Sequence, residues 1–544
     1  MALGGVGEFG KNLAVYSCDS QALIIDAGST FPSAREPGVD LILPDFSLLD
    51  RCGEPLGCVI THAHEDHFGA LPYLLQERPM PVWASPYTRA CIERRLAEFD
   101  LGEVDLRDLP DSPEVIEVGP FGIEAIRVAH SIPHTRAIAL HTPQGTILHT
   151  ADFKLDDDPP DGEATDLERL DELADDGIRL LVSDSTNADR EGIAESERNV
   201  VPALRRLLDQ APQRVVLTTF ASNVQRMQSI ADAADESGRS LILVGTAVQQ
   251  HTETAERLGL LRMPPGLRQP AESLRDLPRR HVVIVASGSQ GEPRSAMTRI
   301  AFDDHRQLSL EADDWVLHSA RRIPGNEIAI GRVFNALIAR GVRVITADDA
   351  EIHVSGHAAA DDLRRCLRTW QPEFLLPVHG ERQQQEAQRQ LALECGLQDR
   401  CIEIPTLGQR FRLDADGLRT IERWEVGRRL MQQRGIEVDE GLIAERRRAS
   451  FQGVVVVSVE IDAHDRLANG YPAVVSRGFT PSRGDESSMT EGVQRAVRRT
   501  FADWKPGRER SHSAMTETIE RGVRRFLRRD YQQAPLVIAV IQQR

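Results

Sequence analysis

Thr61-His62-Ala63-His64-Glu65-Asp66-His67-Phe68-Gly69 packs three histidines and an aspartate into six consecutive positions, and the rest of the chain has to be built around it. The run before it, Gly57-Cys58-Val59-Ile60-Thr61, is short, apolar and β-branched, which predicts a buried strand ending where the histidines begin. Gly69-Ala70-Leu71-Pro72-Tyr73-Leu74-Leu75 predicts the start of a helix. The cluster therefore sits on a strand-to-helix loop, where an α/β sheet gathers its ligands. Alternation turns His62 and His64 to one side of an extended segment, while Asp66 and His67 reach a second point nearby. Imidazole nitrogens and carboxylate oxygens suit zinc or a similar divalent ion. A solvated loop has no reason to concentrate four such groups without a lysine, so the stretch reads as a metal site.

More ligands are needed for two ions than this loop supplies. His130, in Val128-Ala129-His130-Ser131, ends an apolar segment, and Asp152 follows the strand Thr146-Ile147-Leu148-His149-Thr150. Taken singly, each would read as a satisfied core histidine or a turn aspartate. Beside the first cluster they become candidates. His379 follows the strand Phe374-Leu375-Leu376, again a strand end, and His353 and His357 lie in His353-Val354-Ser355-Gly356-His357-Ala358. His134, His141 and His149 have no comparable claim. Asp26 closes the buried run Gln21-Ala22-Leu23-Ile24-Ile25, where it either supports the metal loop from behind or is an ordinary strand-end aspartate.

Gly5-Val6-Gly7-Glu8-Phe9-Gly10 matches a dinucleotide fingerprint in letters only, because that motif needs a strand before it and a helix after it. Here the next residues, Asn12-Leu13-Ala14-Val15-Tyr16, predict a strand, so the glycines read as a tight turn. Leu155 to Gly177 is rich in Asp, Pro and Glu and predicts a surface connection. From about Val200 to Asp348, helices alternate with the apolar strands Arg214–Thr218, Leu241–Val244, His281–Val285 and Val342–Ile345, which predicts βαβ units and a mostly parallel sheet in a separate domain. Within it, Ala286-Ser287-Gly288-Ser289-Gln290-Gly291 has the composition of a phosphate-cradling loop but is no Walker sequence, and Pro324-Gly325-Asn326-Glu327 is a turn. A mostly helical linker is expected from Gly396 to about Arg448, followed by a small α/β unit opening at Gly453-Val454-Val455-Val456-Val457.

A chain of 544 residues is too long for one core. No apolar run approaches the ~20 residues needed to span a membrane, and the N-terminus lacks the features of a signal peptide. Seven cysteines, none in a CxxC pair, predict a reducing compartment, with cytoplasm as the expectation. The net charge of −18 excludes little, since nucleic-acid binding depends on local patches. The stretch from Phe451 is in fact net basic, and Arg521-Gly522-Val523-Arg524-Arg525-Phe526-Leu527-Arg528-Arg529 is its most basic run, either a solvated helix face or a phosphate contact.

The HxHxDH loop, His130 and Asp152 resemble the metallo-β-lactamase fold, and a helix–strand domain inserted before His357 and His379 resembles its β-CASP nuclease branch. Gly4–Asn12, His130-Ser131-Ile132-Pro133, Asp152-Phe153-Lys154, Ser183-Asp184-Ser185-Thr186-Asn187, Thr219-Phe220-Ala221-Ser222-Asn223, Ser287–Pro293, Ile323–Glu327 and Pro377-Val378-His379-Gly380-Glu381 narrow the resemblance to the bacterial ribonuclease J family, over nearly the whole chain. The resemblance implies an αββα metallo-β-lactamase sandwich with an inserted β-CASP α/β domain and a small C-terminal α/β domain. It divides the chain into 1–198 and 351–428 for the sandwich, 199–350 for β-CASP, a linker 429–450, and 451–544, which would serve oligomerisation.

It further implies two Zn2+ per subunit, with Mn2+ or Mg2+ as alternatives: one held by His62, His64 and His130, the other by Asp66, His67 and His379, with Asp152 bridging. Single-stranded RNA would be the partner, 5′-monophosphorylated, in a homodimer or homotetramer away from any membrane. His353, Val354, Ser355, Gly356 and His357 would hold its phosphate, with Ser287 and Ser289 near the 5′ end. Asp66 would orient the attacking hydroxide, and His357 would serve the departing 3′ oxygen. The activity implied is 5′-to-3′ exonuclease with endonuclease capacity, in RNA maturation and mRNA decay. A hydrolase of a small ester or thioester and a non-catalytic RNA scaffold are the alternatives. The chain departs from the family pattern at His134, Gln225 and Gly245-Thr246-Ala247, all on the RNA-binding side.

Overall fold

The computed structural model describes residues 1–33, 35–323, 325–432, 435–464, 466–468, 471–503 and 512–543. Pro324 of the Ile323–Glu327 turn lies outside them. They form two compact units, Met1–Thr30 with Leu43–Arg428, and Phe31–Ile42 with Arg429–Arg544.

The first unit contains two six-stranded sheets. One runs Ala2–Gly4, Leu13–Cys18, Gln21–Ile25, Glu54–Ile60, Val82–Ala84, Leu106–Asp108; the other runs Phe374–Val378, Ile178–Asp184, Gly145–His149, Arg136–Thr142, Phe121–Arg127, Val115–Val118. Period-two burial makes their facing sides one apolar layer, in which Leu23, Ile25, Val59 and Trp83 meet Phe121, Ile138, Leu140, Leu180 and Leu376. Behind the second sheet, helices Leu167–Asp176, Ala360–Trp370 and Arg382–Glu394 bury Leu170, Leu173, Leu363, Leu367, Trp370 and Leu391. Helices Leu71–Glu77 and Pro86–Leu96 bury Leu71, Leu74, Leu75, Tyr87 and Ile92. This is the expected αββα sandwich.

Inserted in it is a five-stranded, wholly parallel sheet in the order Ser240–Val244, Val282–Ala286, Val215–Thr218, Trp315–His318, Arg343–Ile345. Trp315–His318 was not among the expected strands: it has four residues, and its preceding Asp313-Asp314 disguises the apolar run. The sheet is tied back by a buried ion pair. Arg226 meets both carboxylate oxygens of Glu197 and donates to Ser319 and to the Ile352 carbonyl, just ahead of His353. Arg226→Met leaves Glu197 buried without its cation and should cost about 3–5 kcal/mol in denaturant unfolding. An unchanged midpoint would show that the pair holds nothing together.

Two expectations are corrected. Leu155–Gly177 is not merely a surface connection: Asp166 accepts from Arg169 N and caps the helix Leu167–Asp176. The stretch expected to be a mostly helical linker carries the strands Gln409–Asp414, Gly417–Arg423, Arg428–Gln432 and Ile436–Val438 before the helix Glu440–Gln452. Its Gln-Arg-Phe-Arg-Leu-Asp alternation and Asp-Ala-Asp-Gly turn are hairpin signals, masked by the high charge. Leu430, Val438 and Ile443 also pack with Val39 and Ile42, so the segment is part of a core. In the second unit the strands Ala473–Arg477, Val454–Ile461 and Leu536–Gln543 form one sheet, covered on one face by helices Glu486–Asp503 and His512–Tyr531. Among the described residues no helix is long and apolar enough to cross a membrane.

Candidate metal centre

Strand direction gathers the site. Gln21–Ile25 and Glu54–Ile60 are parallel and deliver Asp26 and His62 from the same end. Gly145–His149, Ile178–Asp184 and Phe374–Val378 are likewise parallel neighbours, and set Asp152, Asp184 and His379 side by side. Asp26, Ala151 and His379 have φ of 63°, 52° and 51°, left-handed backbone that non-glycine residues rarely adopt and that clusters at functional sites. A short helix, Glu65–Phe68, begins inside the histidine loop, so Asp66 and His67 sit on a helical turn rather than on an extended segment. Gly28 makes that turn possible: a Cβ there would lie 1.6 Å from the Asp66 carbonyl oxygen.

Three sets of ligand atoms result, each within 4.8 Å of one another: His62, His64, His130 and Asp152; Asp66, His67, Asp152 and His379; Asp152, Asp184, His357 and His379. Asp152 belongs to all three. In the first set, His64 Nδ1 lies 3.1 Å from His62 Nε2 and 3.2 Å from His130 Nε2. The outward nitrogens have partners that fix the tautomers. His130 Nδ1 donates to the Gly356 carbonyl at 2.6 Å, which leaves Nε2 a lone pair facing inward. A side chain at Gly356 would crowd this contact, its Cβ only 2.9 Å from His130 Nδ1. His67 Nδ1 donates to Asp26 Oδ2 at 2.7 Å, and the other Asp26 oxygen accepts from Thr61 N at 2.8 Å. Asp26 therefore braces the histidine loop from behind, through His67 and Thr61.

The electrostatics suit cations. Burial, then the neighbouring histidines, hold His62 and His130 well below the usual imidazole range and so neutral, the form that ligates metal. Burial opposes a charge on Asp152, but His379 and His67 outweigh it and keep the carboxyl ionised. His379 is also penalised by burial, yet Asp152, Asp184 and Asp66 push it up to about 10. Asp152 Oδ1 is buried without a hydrogen-bond partner among the described residues, although its side chain is surrounded by imidazoles. An orphaned carboxylate oxygen among histidines fits a divalent ion and little else.

Two residues with no expected role join the site. Asp184 Oδ2 accepts from His357 Nδ1 at 2.7 Å, and its Oδ1 accepts from Thr186. Ser222, from the Thr219–Asn223 turn of the inserted domain, lies 3.0 Å from His64 Nε2, the nitrogen facing away from the first set. If that contact orients His64, Ser222→Ala should weaken zinc retention against a chelator roughly ten- to a hundredfold, and Ser222→Thr should restore it. Equal retention in all three proteins would remove Ser222 from the centre.

The remaining candidates lie on neighbouring loops. Asn187 Nδ2 donates to Ser355 Oγ and the His357 carbonyl; Arg321 donates to Asn187, and Gln290 to the Arg321 carbonyl. This chain links the His353–His357 loop to the Ser287–Gln290 loop. Among the described residues His353 Nδ1 is buried without a partner, in surroundings made positive by Arg226, His318, Arg321 and Arg190. Val354 is buried, so only its backbone can serve a ligand, and Ser289 is buried with its carbonyl accepting from His318. Ser287 packs against Gly245. The family departures are absorbed locally: Gln225 donates to Asp161, and His134 Nδ1 accepts from Tyr87 N. His141 bonds Glu124 and His149 bonds Tyr16, and neither joins a ligand set.

A sandwich with this ligand cluster at its strand ends and a parallel α/β domain inserted between His130 and His357 defines a metal-dependent hydrolase of the metallo-β-lactamase class. The superfamily profile matches residues 13–188, the Zn-dependent metallo-hydrolase RNA specificity domain residues 345–400, the ribonuclease J β-CASP domain residues 212–337 and the ribonuclease J C-terminal domain residues 441–544. Ribonuclease J of Sinorhizobium meliloti is 39% identical over 502 residues, 90% of this chain and 87% of that one. The Synechocystis and Thermus thermophilus proteins of that name are 34% and 36% identical, covering 100% and 88% of this chain and 86% and 84% of their own. A solved structure of a protein of unknown function from Enterococcus faecalis shares the fold, with a TM-score of 0.52 at 16% identity over 77% of this chain and 98% of that one. The chain belongs to the ribonuclease J family and is a metal-dependent ribonuclease.

Proposed function

We propose that the chain hydrolyses single-stranded RNA from a 5′-monophosphorylated end, as a 5′-to-3′ exonuclease with endonuclease capacity, and works in RNA maturation and mRNA decay. The observation that carries this is the pair of adjacent ligand sets sharing Asp152, with the His357–Asp184 pair beside them. His62, His64, His130 and Asp152 would hold one Zn2+, and Asp66, His67, His379 and Asp152 the other; Mn2+ or Mg2+ would suit the same oxygens and nitrogens less selectively. Two such ions supply a water that ionises near neutral pH and relief of charge on the phosphoryl oxygens.

The protein's own groups do the rest. Asp66, 34% exposed along its side chain, is the carboxylate of its set within reach of solvent, and orients the attacking water. His357, 19% exposed, is held by Asp184 through Nδ1, and as the doubly protonated imidazolium it gives the Nε2 proton to the departing 3′ oxygen. The Ser355 and Gly356 backbone with His353 receives the phosphate, and Ser287 and Ser289 border the 5′ end. Residues 1–198 and 351–428 serve as the catalytic body and 199–350 as the closing domain; 429–450 leads to 451–544, which would join subunits into a dimer or tetramer in the cytoplasm.

The test is incubation with 5′-monophosphorylated single-stranded RNA beside an Asp66→Asn control. Stepwise release of mononucleotides from the 5′ end, abolished in the control, is expected. Internal cuts alone would replace the exonuclease reading with an endonuclease one.

A further inference from the structure

The reaction makes no use of the arginines that crowd the last two long helices. Helix Glu486–Asp503 and helix His512–Tyr531 together contain eight arginines and no lysine. The helices lie side by side, with Phe526 against Gly492 and Thr500 against Gly522. Met489, Val493 and Val497 on one, and Met515, Ile519, Val523 and Leu527 on the other, face the sheet. Helical periodicity then turns Arg495 and Arg499, and Arg521, Arg525, Arg528 and Arg529, away from it. Arg495 and Arg521 are each 68% exposed, and their ion-pair partners among the described residues are exposed glutamates one turn away, at 3.5 and 4.0 Å. Such surface pairs bind weakly and leave the guanidinium available. Arg499, Arg525 and Arg528 have neither a hydrogen bond nor an ion pair among the described residues.

A second, independent feature lies on the same helix. Arg498 stacks over the Tyr471 ring, 4.0 Å from its centroid, and Tyr471 is 73% exposed. The Pro472 carbonyl accepts from Gln494, which rests this loop on the helix. Arg498 Nε and Nη2 and Arg524 Nε are buried and find no acceptor among the described residues. Exposed guanidiniums rather than ammonium groups and one exposed aromatic ring match a polyanion with flat bases: phosphates for the forks of Arg499, Arg525 and Arg528, a base for the ring. In a chain of net charge −18 such a patch gives the acidic protein a local hold on RNA.

We infer that the arginine face of these two helices, with Tyr471, is a second binding surface for single-stranded RNA, separate from the metal cluster. This rests on RNA being the substrate. An acidic partner protein is the competing occupant.

The full-length chain carrying Arg499→Glu, Arg525→Glu and Arg528→Glu together tests it, with Tyr471→Ala made separately. Binding of a fluorescein-labelled, phosphorothioate-linked RNA of roughly 30 nucleotides is followed by anisotropy across a salt series, beside turnover of an RNA of about five nucleotides. The triple variant should bind the long RNA at least about tenfold more weakly, with a salt slope lower by about two, since each lost cation removes ~0.7 on a single strand. Tyr471→Ala should weaken binding about fivefold or more with the slope unchanged. Turnover of the short RNA should stay within about twofold of the unaltered chain. The three arginines changed to Gln repeat the test without reversed charge, should the reversal disturb the fold. Unchanged affinity and slope would overturn the inference, as would unchanged RNA binding with an altered sedimentation coefficient, which assigns the face to a protein. Failure of the proposed reaction shows itself separately, as no cleavage of the short RNA by the unaltered chain.

Discussion

Asp152→Asn should give a protein that folds, loses both metal ions and cleaves RNA at least about four orders of magnitude more slowly, as when a member of one catalytic unit is removed. Its Oδ2 lies 3.2 Å from His67 Nε2, 3.7 Å from His62 Nε2 and 3.8 Å from His130 Nε2, and its Oδ1 3.6 Å from His379 Nδ1. It is the one residue common to all three ligand sets. An amide keeps the shape and removes the charge that would draw two cations together under the proposed assignment. Asp66→Asn touches a single set and should leave the first ion in place. Metal content by mass spectrometry separates the two variants. Two ions retained by Asp152→Asn would end its bridging assignment.

His357→Ala should behave differently. Its ring is a member of the third set only and is turned by Asp184, so removing it should lower kcat by about two to four orders of magnitude, the usual yield of a positioned proton donor, with metal content intact. Asp184→Asn should give a smaller loss of kcat, because the imidazole remains but loses the carboxylate that turns it and balances the charge of its protonated form. Loss of an ion from His357→Ala would make it a ligand instead.

Much of this was legible because strands announce themselves by apolar runs and their ends by the first polar residue. Ile60, Thr150 and Leu376 pointed in this way to His62, Asp152 and His379. Asp184 closes a similar run, but a strand-end aspartate carries no signal of its own until a histidine far along the chain is brought beside it. Ser222 was invisible for the same reason: it belongs to the inserted domain, and its partner lies 158 residues away in the sandwich. Asp26 stayed ambiguous until the parallel pairing with Glu54–Ile60 placed it under His67. The hairpin Gln409–Arg423 was misread because its charged, alternating residues are edge-strand chemistry that also suits a polar helix.

The most direct single measurement is a zinc titration of the metal-free chain, with hydrolysis of 5′-monophosphorylated RNA followed at each addition. Two adjacent ligand sets that share Asp152 predict a rate that stays near zero through the first equivalent, rises with the second and is then level. A full rate at one equivalent, or cleavage by the metal-free chain, would contradict the two-ion centre.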